Sequence, residues 1–289
     1  MSGEERVAQV AGEERARGRS GVRPSATEDV TDSDTRPQAD AITATYCLGL
    51  GDDALIYAQR LGEWISRAPQ IEEDMALGNV GLDLLGQARA LLTHAGELDG
   101  SGRSEDDLAF FRDEREFRNV HLVEQPRGDF GFEMARLLWF ASYQCELYAR
   151  LTGSSDPVLA GVAEKAVKET TYHRDHAEQW VVRLGDGTQE SHRRMQDALV
   201  AVSPYVAELF DDDAVSVAAA EAGVGVLPST LREPVLERVT QVVELATLTM
   251  PEQSRWRSRG GREGIHSQVM GYLLAELQHI ARSHPGATW

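Results

Sequence analysis

DPVLAGVAEKAVKETTYHRDHAEQWVVRLG, residues 156–185, carries the clearest helix signals in the chain. Asp156 suits the N-cap, where a side chain accepts from free N–H groups; Pro157 suits the first helical position. Gly185 suits the C-terminal end. Between these ends, apolar residues recur every three or four positions, as on the buried face of a helix. The stretch therefore predicts a helix about 42 Å long at 1.5 Å per residue.

Further helices are predicted on both sides of this one. Proline, glycine and capping residues place them at about Gly51–Arg67, Ile71–Leu98, Asp129–Leu151, Glu190–Phe210 with a kink at Pro204, a short helix after Asp213, Leu231–Leu248 and Ile265–Arg282. Four long helices followed by shorter ones predict an all-α fold, a ferritin-like four-helix bundle with additional C-terminal helices. Inside the second helix, Gly78, Gly81 and Gly86 predict close helix–helix approach at a buried position, since interior glycine is otherwise costly.

The N-terminal segment differs from the rest in composition. Residues 1–40 contain 15 charged residues and no aromatic residue, leucine or isoleucine. Such a segment buries too little apolar surface to offset the entropy of ordering. We therefore expect a disordered tail over residues 1–41 and one helical domain over residues 42–289.

Overall charge and cysteine usage narrow the class of protein. The net charge of −18 opposes binding to nucleic acid or an anionic membrane. No apolar run approaches the roughly 18 residues of a membrane span, and the N-terminus has no secretory signal. Cys47 and Cys145 lie among apolar residues, which predicts buried thiols without a disulfide framework. These features predict a cytoplasmic protein.

Polar residues interrupt the apolar stripes of three long helices. Glu169 and His173 keep the stripe spacing of the fourth helix, Asp83 lies in the second, and Gln144 lies on the buried face of the third. Asn79 and Gln87 line up with Asp83 at intervals of four. Carboxylates and imidazoles on inward faces of neighbouring helices are what a di-iron bundle uses.

The ligand set nevertheless falls short of a di-iron centre. Two irons need about six protein ligands, with a Glu-x-x-His pair on each of two helices. Here Glu169 has Tyr172 at the third position and His173 at the fourth, and Asp83 is followed by Gly86. We therefore expect no metal, cofactor or catalytic residue in this chain. The residues that remain are Asp83, Gln144, Glu169 and His173, which we interpret as a vestigial site or a buried polar network with His173 as imidazolium.

Two alternatives stay open at this point. A divergent metal oxidase would use Asp83, Glu169, His173 and His176. Literal Glu-x-x-His pairs at Glu263 and Glu276 fall 13 residues apart on one predicted helix, roughly 20 Å by helix rise, so they cannot face one another. We interpret both as chance or surface pairs.

A cluster of basic residues near the C-terminus supports the other alternative. Arg255, Arg257, Arg259 and Arg262 lie within eight residues of an otherwise acidic chain. Guanidinium groups suit phosphate or carboxylate, so this loop is a candidate site for a phosphorylated ligand or for an acidic partner. A solvated loop without a ligand is the competing interpretation.

Three segments carry a family resemblance. They are RLGEWISRAPQIEEDMALGNVGLDLLGQAR at 60–89, RDEREFRNVHLVEQPRGDF at 112–130 and HSQVMGYLLAELQHIARSHPGATW at 266–289. Together they resemble the PaaC-type subunit of bacterial ring-1,2-phenylacetyl-CoA epoxidase, and the likeness extends over residues 42–289. It implies a ferritin-like fold and a non-catalytic structural role in phenylacetate catabolism.

The resemblance also implies partners and cofactors outside this chain. A homologous catalytic subunit would hold the di-iron centre, and a separate reductase would deliver electrons from NADPH, with small accessory subunits completing the monooxygenase. The complex would epoxidise the ring of phenylacetyl-CoA with O₂. In that family the structural subunit lacks the metal ligands of its catalytic counterpart, which agrees with the ligand count made above from spacing. The competing hypothesis of the binding class is a helical module, regulatory or binding coenzyme A (CoA), that works through the arginine loop.

Overall fold

The computed structural model describes residues 32–252 and 254–287, and side chains from residue 38 onward. All regular structure in these ranges is helical. The α-helices are α1 Asp32–Gly62, α2 Ile71–Leu98, α3 Glu105–Phe110, α4 His121–Glu124, α5 Phe130–Leu151, α6 Pro157–Gly185, α7 Gln189–Val206, α8 Ala214–Glu221, α9 Arg232–Leu245 and α10 Gln268–Ser283. Four 3₁₀ turns, Glu114–Glu116, Ala207–Phe210, Pro228–Leu231 and Gly261–Glu263, complete the described structure.

The four long helices form a ferritin-like bundle, as predicted. α1 packs along α2 and α5 packs along α6, and contacts between α2 and α6 join the two pairs. α7 and α9 cover the α5–α6 pair, while α3, α4 and α10 meet at one end of the molecule. The additional helices therefore support the bundle from outside.

Three predicted helices agree with the structure at their ends. α2 spans Ile71–Leu98 as predicted. The Asp129 carboxylate accepts from the N–H of Phe132 at the start of α5. At α6, the Asp156 carboxylate accepts from the N–H of Leu159 at 2.8 Å, and Pro157 is the first helical residue. Local capping chemistry therefore sets where α5 and α6 begin, whereas α2 begins without a side-chain cap.

The start of the first helix was predicted wrongly. α1 begins at Asp32, not near Gly51, and runs on through residues that the composition assigned to the tail. A side chain at Gly51 would meet Leu92 at 2.9 Å, so glycine there allows α1 to approach α2. The remainder of the predicted disordered tail, residues 1–31, lies outside the described residues.

The bundle core is rich in aromatic side chains. Trp64, Trp139, Tyr143 and Tyr148, which the sequence left as core or interface candidates, are all buried within this chain. The ring of Tyr57 on α1 packs edge-on against Phe140 on α5, with centroids 5.1 Å apart. These contacts join α1 to α5 across the bundle.

Both cysteines are buried free thiols, as predicted. Burial raises the pKa of the Cys47 thiol to about 12 and also raises the pKa of Cys145. Thiols in such surroundings stay protonated at neutral pH and behave as small apolar groups.

The surroundings of α2 differ from the prediction. We expected a helix buried nearly all round, yet Ile71, Met75 and Leu82 are more than half exposed. A side chain added at Gly78 would meet no atom within 4 Å. A side chain added at Gly81 would lie 3.5 Å from Leu61 on α1, and one added at Gly86 would lie 3.7 Å from Lys165 Nζ on α6. One face of α2 is therefore uncovered within the described part of the chain.

The C-terminal region also differs from the prediction. Glu263 ends a 3₁₀ turn and His266 precedes α10, so the two Glu-x-x-His pairs do not share one helix.

The α-helical geometry of α7 gives way to a 3₁₀ turn at Ala207, shortly after Pro204, which lacks the N–H that α-helical bonding requires. None of the helices over residues 32–252 and 254–287 combines the length and apolarity needed to cross a membrane.

Candidate functional site

The predicted polar residues meet where α2, α5 and α6 come together. The Gln144 side-chain amide lies 3.4 Å from Gln87 Oε1, and Gln87 Nε2 donates to Glu169 Oε2 at 3.0 Å. The second oxygen of Glu169 faces the ammonium group of Lys165 at 2.8 Å. Separately, His173 Nε2 lies 3.0 Å from Asp83 Oδ2. The structure therefore brings Asp83, Gln144, Glu169 and His173 into one region, in two hydrogen-bonded groups.

The helix faces place these side chains at different depths. His173 and Gln144 are buried, whereas the Glu169 side chain keeps 14% of its exposure and Asp83 keeps 37%. Asn79, expected to complete the network, is exposed on α2. The buried stripe of α6 includes His173 as predicted, but it passes through Thr170 and not through Glu169, so Glu169 lies at its edge.

Burial controls the charge of the two histidines in this region. Burial lowers the pKa of His173, although the hydrogen bond and charge of Asp83 oppose the shift. Burial also lowers the pKa of His176, against the opposing charge of Glu73 at 3.1 Å. Both are therefore neutral near pH 7, and the prediction of a buried His173 imidazolium is wrong. Neutral His173 donates its Nε2 proton to Asp83, which leaves Nδ1 without a hydrogen-bond partner.

The donor set does not fit a bridged pair of irons. Both oxygens of Glu169 are engaged, one by the Gln87 amide and one by the Lys165 ammonium. An ammonium at this position also repels a divalent cation. Over the described ranges, no three His, Cys, Asp or Glu side chains are grouped as metal ligands. What the region can do chemically is hold α2, α5 and α6 together through neutral and paired polar groups.

A second buried cluster, which the sequence interpretation missed, lies beneath α4. His121 Nδ1 lies 2.9 Å from Glu208 Oε2, and His266 Nδ1 lies 3.0 Å from Glu124 Oε2. The N–H of Gly261 donates to Glu208 at 2.9 Å. His266 is therefore buried and hydrogen-bonded rather than part of a surface pair. The signal available in the sequence was HLVE at 121–124, where two apolar residues lie between His121 and Glu124. If the apolar pair is buried, the two titratable side chains beside it need hydrogen-bond partners.

The arginine cluster divides into separate environments. Arg262 is mostly buried and donates to Asp53 Oδ2 at 2.6 Å and to the carbonyls of Gly49 and Arg118 at 2.8 Å. Arg262 therefore ties the C-terminal region to α1, which removes it from the candidate ligand loop. Arg257 pairs with Asp211 at 2.9 Å, and Arg255 and Arg259 are exposed.

Comparison with known proteins assigns the chain to a family. The family model for the phenylacetic acid catabolic proteins, which joins the PaaA and PaaC chain types, matches residues 25–289. The chain is 46% identical over 244 residues to the C subunit of the 1,2-phenylacetyl-CoA epoxidase of Escherichia coli strain K12. The similar region covers 84% of this chain and 98% of that relative. This chain therefore belongs to the phenylacetic acid catabolic protein family.

Proposed function

We propose that this chain is the non-catalytic structural subunit of a ring-1,2-phenylacetyl-CoA epoxidase in aerobic phenylacetate catabolism. The observation that carries the proposal is the identity of 46% to the Escherichia coli epoxidase chain, which extends over 98% of that relative. A resemblance of this extent preserves fold and subunit type together. The coarser conclusion, membership of a family of phenylacetate catabolic proteins, does not depend on this proposal.

The interior polar groups support a structural role. In a di-iron bundle, inward carboxylates must be free to bind and bridge metal ions. Here the oxygens of Glu169 are held by Gln87 and Lys165, and Asp83 accepts from His173. These contacts link α2 to α6, and the contact between Gln144 and Gln87 adds α5, so the network stabilises the bundle instead of binding a cofactor.

The chemistry then belongs to a partner. We propose that a homologous catalytic subunit holds the di-iron centre, and that a reductase subunit passes electrons from NADPH for the reaction with O₂. This chain would stabilise the catalytic subunit and contribute to the docking surfaces for the reductase and small accessory subunits. We place the complex in the cytoplasm, where phenylacetyl-CoA and NADPH are available.

Co-expression with the catalytic subunit tests the pairing. The two chains should elute together in size-exclusion chromatography, and the catalytic subunit should lose solubility or activity without this chain. Asp83→Asn should leave the kcat/KM of the assembled complex within about twofold, because Asp83 makes no transition-state contact on this account. Separate elution, with a catalytic subunit that is fully active alone, would rule the proposal out.

A further inference from the structure

A cleft outside the polar region lies between α5, α7, α9 and the 3₁₀ turn Ala207–Phe210. Its volume is about 290 Å³, close to the lower end of the range of roughly 300–1,000 Å³ for small-molecule sites. Apolar side chains make up most of its lining, among them Trp139, Val206, Phe210, Leu236 and Met250. The size and lining of the cleft therefore suit a small ligand with an apolar body.

The most buried side chains of this cleft include two aromatic residues. Trp139 on α5 and Phe210 are 5% and 8% exposed, and Phe210 packs edge-on against Tyr143 with centroids 6.1 Å apart. Aromatic rings pack favourably against one another, and the thioether of Met250 suits the edge of a ring. These side chains favour an aromatic ring as the apolar part of the ligand.

Two hydrogen-bond donors of the lining lack acceptors. In the described part of the chain, neither the indole N–H of Trp139 nor the guanidinium of Arg232 has a hydrogen-bond acceptor, and Arg232 forms no ion pair. By contrast, the buried indole of Trp64 donates to Glu133 at 2.8 Å, as such groups usually do. A guanidinium pairs best with the two oxygens of a carboxylate. The unpaired donors therefore favour a ligand with a carboxylate group.

The other charged groups of the lining do not prevent this pairing. Arg257 forms an ion pair with Asp211 at 2.9 Å, so its charge is already balanced. Glu252 is exposed, so water and salt screen its negative charge. A ligand carboxylate in direct contact with Arg232 would gain a charge-assisted hydrogen bond that this screening does not remove.

Hydrogen bonds hold the walls of the cleft in place. Thr249 and Ser258 flank the loop residues that line it. The N–H of Thr249 donates to Gln196 Oε1 at 2.8 Å, and Gln196 Nε2 donates back to the Thr249 carbonyl at 2.9 Å. The N–H of Ser258 donates to the carbonyl of Pro204 at 3.0 Å, and its hydroxyl donates to Glu208 at 3.1 Å. Because the walls are fixed before a ligand arrives, binding requires little further ordering.

We propose that this cleft binds a small aromatic carboxylate, with its ring against Trp139 and Phe210 and its carboxylate on Arg232. The site does not depend on the proposed function, because neither the polar network nor the catalytic partner contributes to it. Of the four arginines predicted as a ligand loop, Arg257 alone lines this cleft.

Binding of para-fluorobenzoate to the full-length chain tests the site, measured by fluorine NMR and isothermal titration calorimetry. The wild type should bind it with a Kd below about 1 mM. Leu236→Trp fills the cleft and should weaken binding at least about tenfold. Leu245→Trp is the matched control, since Leu245 lies exposed on the same helix but outside the lining, and it should bind within about twofold of wild type. Circular dichroism checks that both variants fold.

A second pair of variants tests the carboxylate contact. Arg232→Gln should weaken binding of para-fluorobenzoate about tenfold and leave the weaker binding of para-fluorobenzamide unchanged, because the amide is uncharged. Arg255→Gln, an exposed residue outside the lining, should change neither affinity.

The contrary results are equally specific. A wild type that does not bind para-fluorobenzoate below about 1 mM would overturn the site, as would equal affinities of Leu236→Trp and Leu245→Trp. Equal affinity of the wild type for the benzoate and the benzamide would overturn the assignment of a carboxylate ligand.

Discussion

Gln87 on α2 donates its side-chain amide to Glu169 on α6, with 3.0 Å between Nε2 and Oε2. This contact occupies a carboxylate that a metal centre would need, and it links the two halves of the bundle. A carboxylate at position 87 could not donate a hydrogen bond to Glu169, and the two negative charges would repel one another. The neutrality of residue 87 is therefore a requirement of the fold in this region.

Gln87→Glu should destabilise the protein in a pH-dependent way. The new carboxylate is buried beside Glu169, so its pKa in the folded state should lie above its unfolded value of about 4.3. A raised carboxyl pKa means that stability falls as the pH rises through the unfolded value and beyond. Urea unfolding should show a loss of about 1–3 kcal/mol relative to wild type at pH 8 and a smaller loss at pH 5. A loss independent of pH would contradict this account.

The buried pair of Glu208 and His121 should stabilise the protein over a defined pH window. Burial alone would lower the pKa of His121, but the hydrogen bond and charge of Glu208, with the charge of Glu124, raise it. Burial alone would raise the pKa of Glu208, but His121 and the N–H of Gly261 lower it. The carboxyl contributes stability above its unfolded pKa of about 4.3, and the histidine contributes below its unfolded pKa of about 6.5.

Glu208→Gln should therefore lower the free energy of unfolding most at a pH between these two unfolded pKa values. We expect a loss of about 3 kcal/mol near pH 5.5, because one partner of a buried pair is removed. The difference between wild type and variant should shrink as the pH rises through the raised pKa of His121, because the histidine then loses the charge that Glu208 stabilises. Thermal unfolding monitored by circular dichroism across pH 5 to 8 measures this; a difference that grows towards pH 8 would refute the pairing.

Arg262 should be essential for stability, unlike the exposed arginines of the same loop. Burial raises the pKa of Asp53 to about 6 even beside the Arg262 guanidinium. Without that guanidinium, a buried carboxylate would be left unpaired at neutral pH. Arg262→Met should lower the free energy of unfolding by about 3–5 kcal/mol, whereas Arg259→Ala should change it by less than about 0.5 kcal/mol. Equal effects of the two substitutions would show that Arg262 is not a structural anchor.

Two glycines of α2 should respond oppositely to alanine. Gly78→Ala should stabilise the isolated chain by about 1 kcal/mol, because the added methyl meets open space and alanine favours the helix. Gly96→Ala should destabilise it, since the new Cβ would lie 2.1 Å from the Arg103 carbonyl oxygen. Chemical denaturation of both variants checks the pair. Destabilisation by Gly78→Ala in the isolated chain would mean that the space beside Gly78 on α2 is already occupied.

Local signals were sufficient for the helices with explicit caps. Asp156 and Pro157 at α6, and Asp129 at α5, gave correct starts because a cap depends on only four neighbouring residues. α3 was missed although Ser104 and Asp107 form a capping box, because the acidic, glycine-flanked segment looked like a loop. The predicted α1 was too short because its start was placed at Gly51, where the structure requires glycine inside the helix to make room for Leu92.

The sequence indicated which residues to consider for the candidate site, but not whether its histidines are charged. Helical spacing singled out Asp83, Gln144, Glu169 and His173, and in the structure they belong to two hydrogen-bonded groups, one through Gln87 and one between Asp83 and His173. Whether a histidine is charged depends on burial and on partners from other helices, which spacing does not supply.

Hydrogen-bond partners that are distant in the sequence likewise could not be predicted. Arg262 finds Asp53 and His266 finds Glu124 from positions more than 140 residues away in the chain. Such pairs follow from tertiary packing. Arg262, predicted to belong to a ligand loop, and His266, predicted to belong to a chance motif, therefore form buried hydrogen bonds instead.

The most direct test of the central claim is the iron content and ring-epoxidising activity of this chain, alone and with the homologous catalytic subunit. Both should be measured after purification from iron-supplemented cells. The account predicts no bound iron and no epoxidation of phenylacetyl-CoA for the chain alone, and iron in the complex only in proportion to the catalytic subunit. Two irons bound to the isolated chain through Asp83, Glu169 and His173 would contradict it.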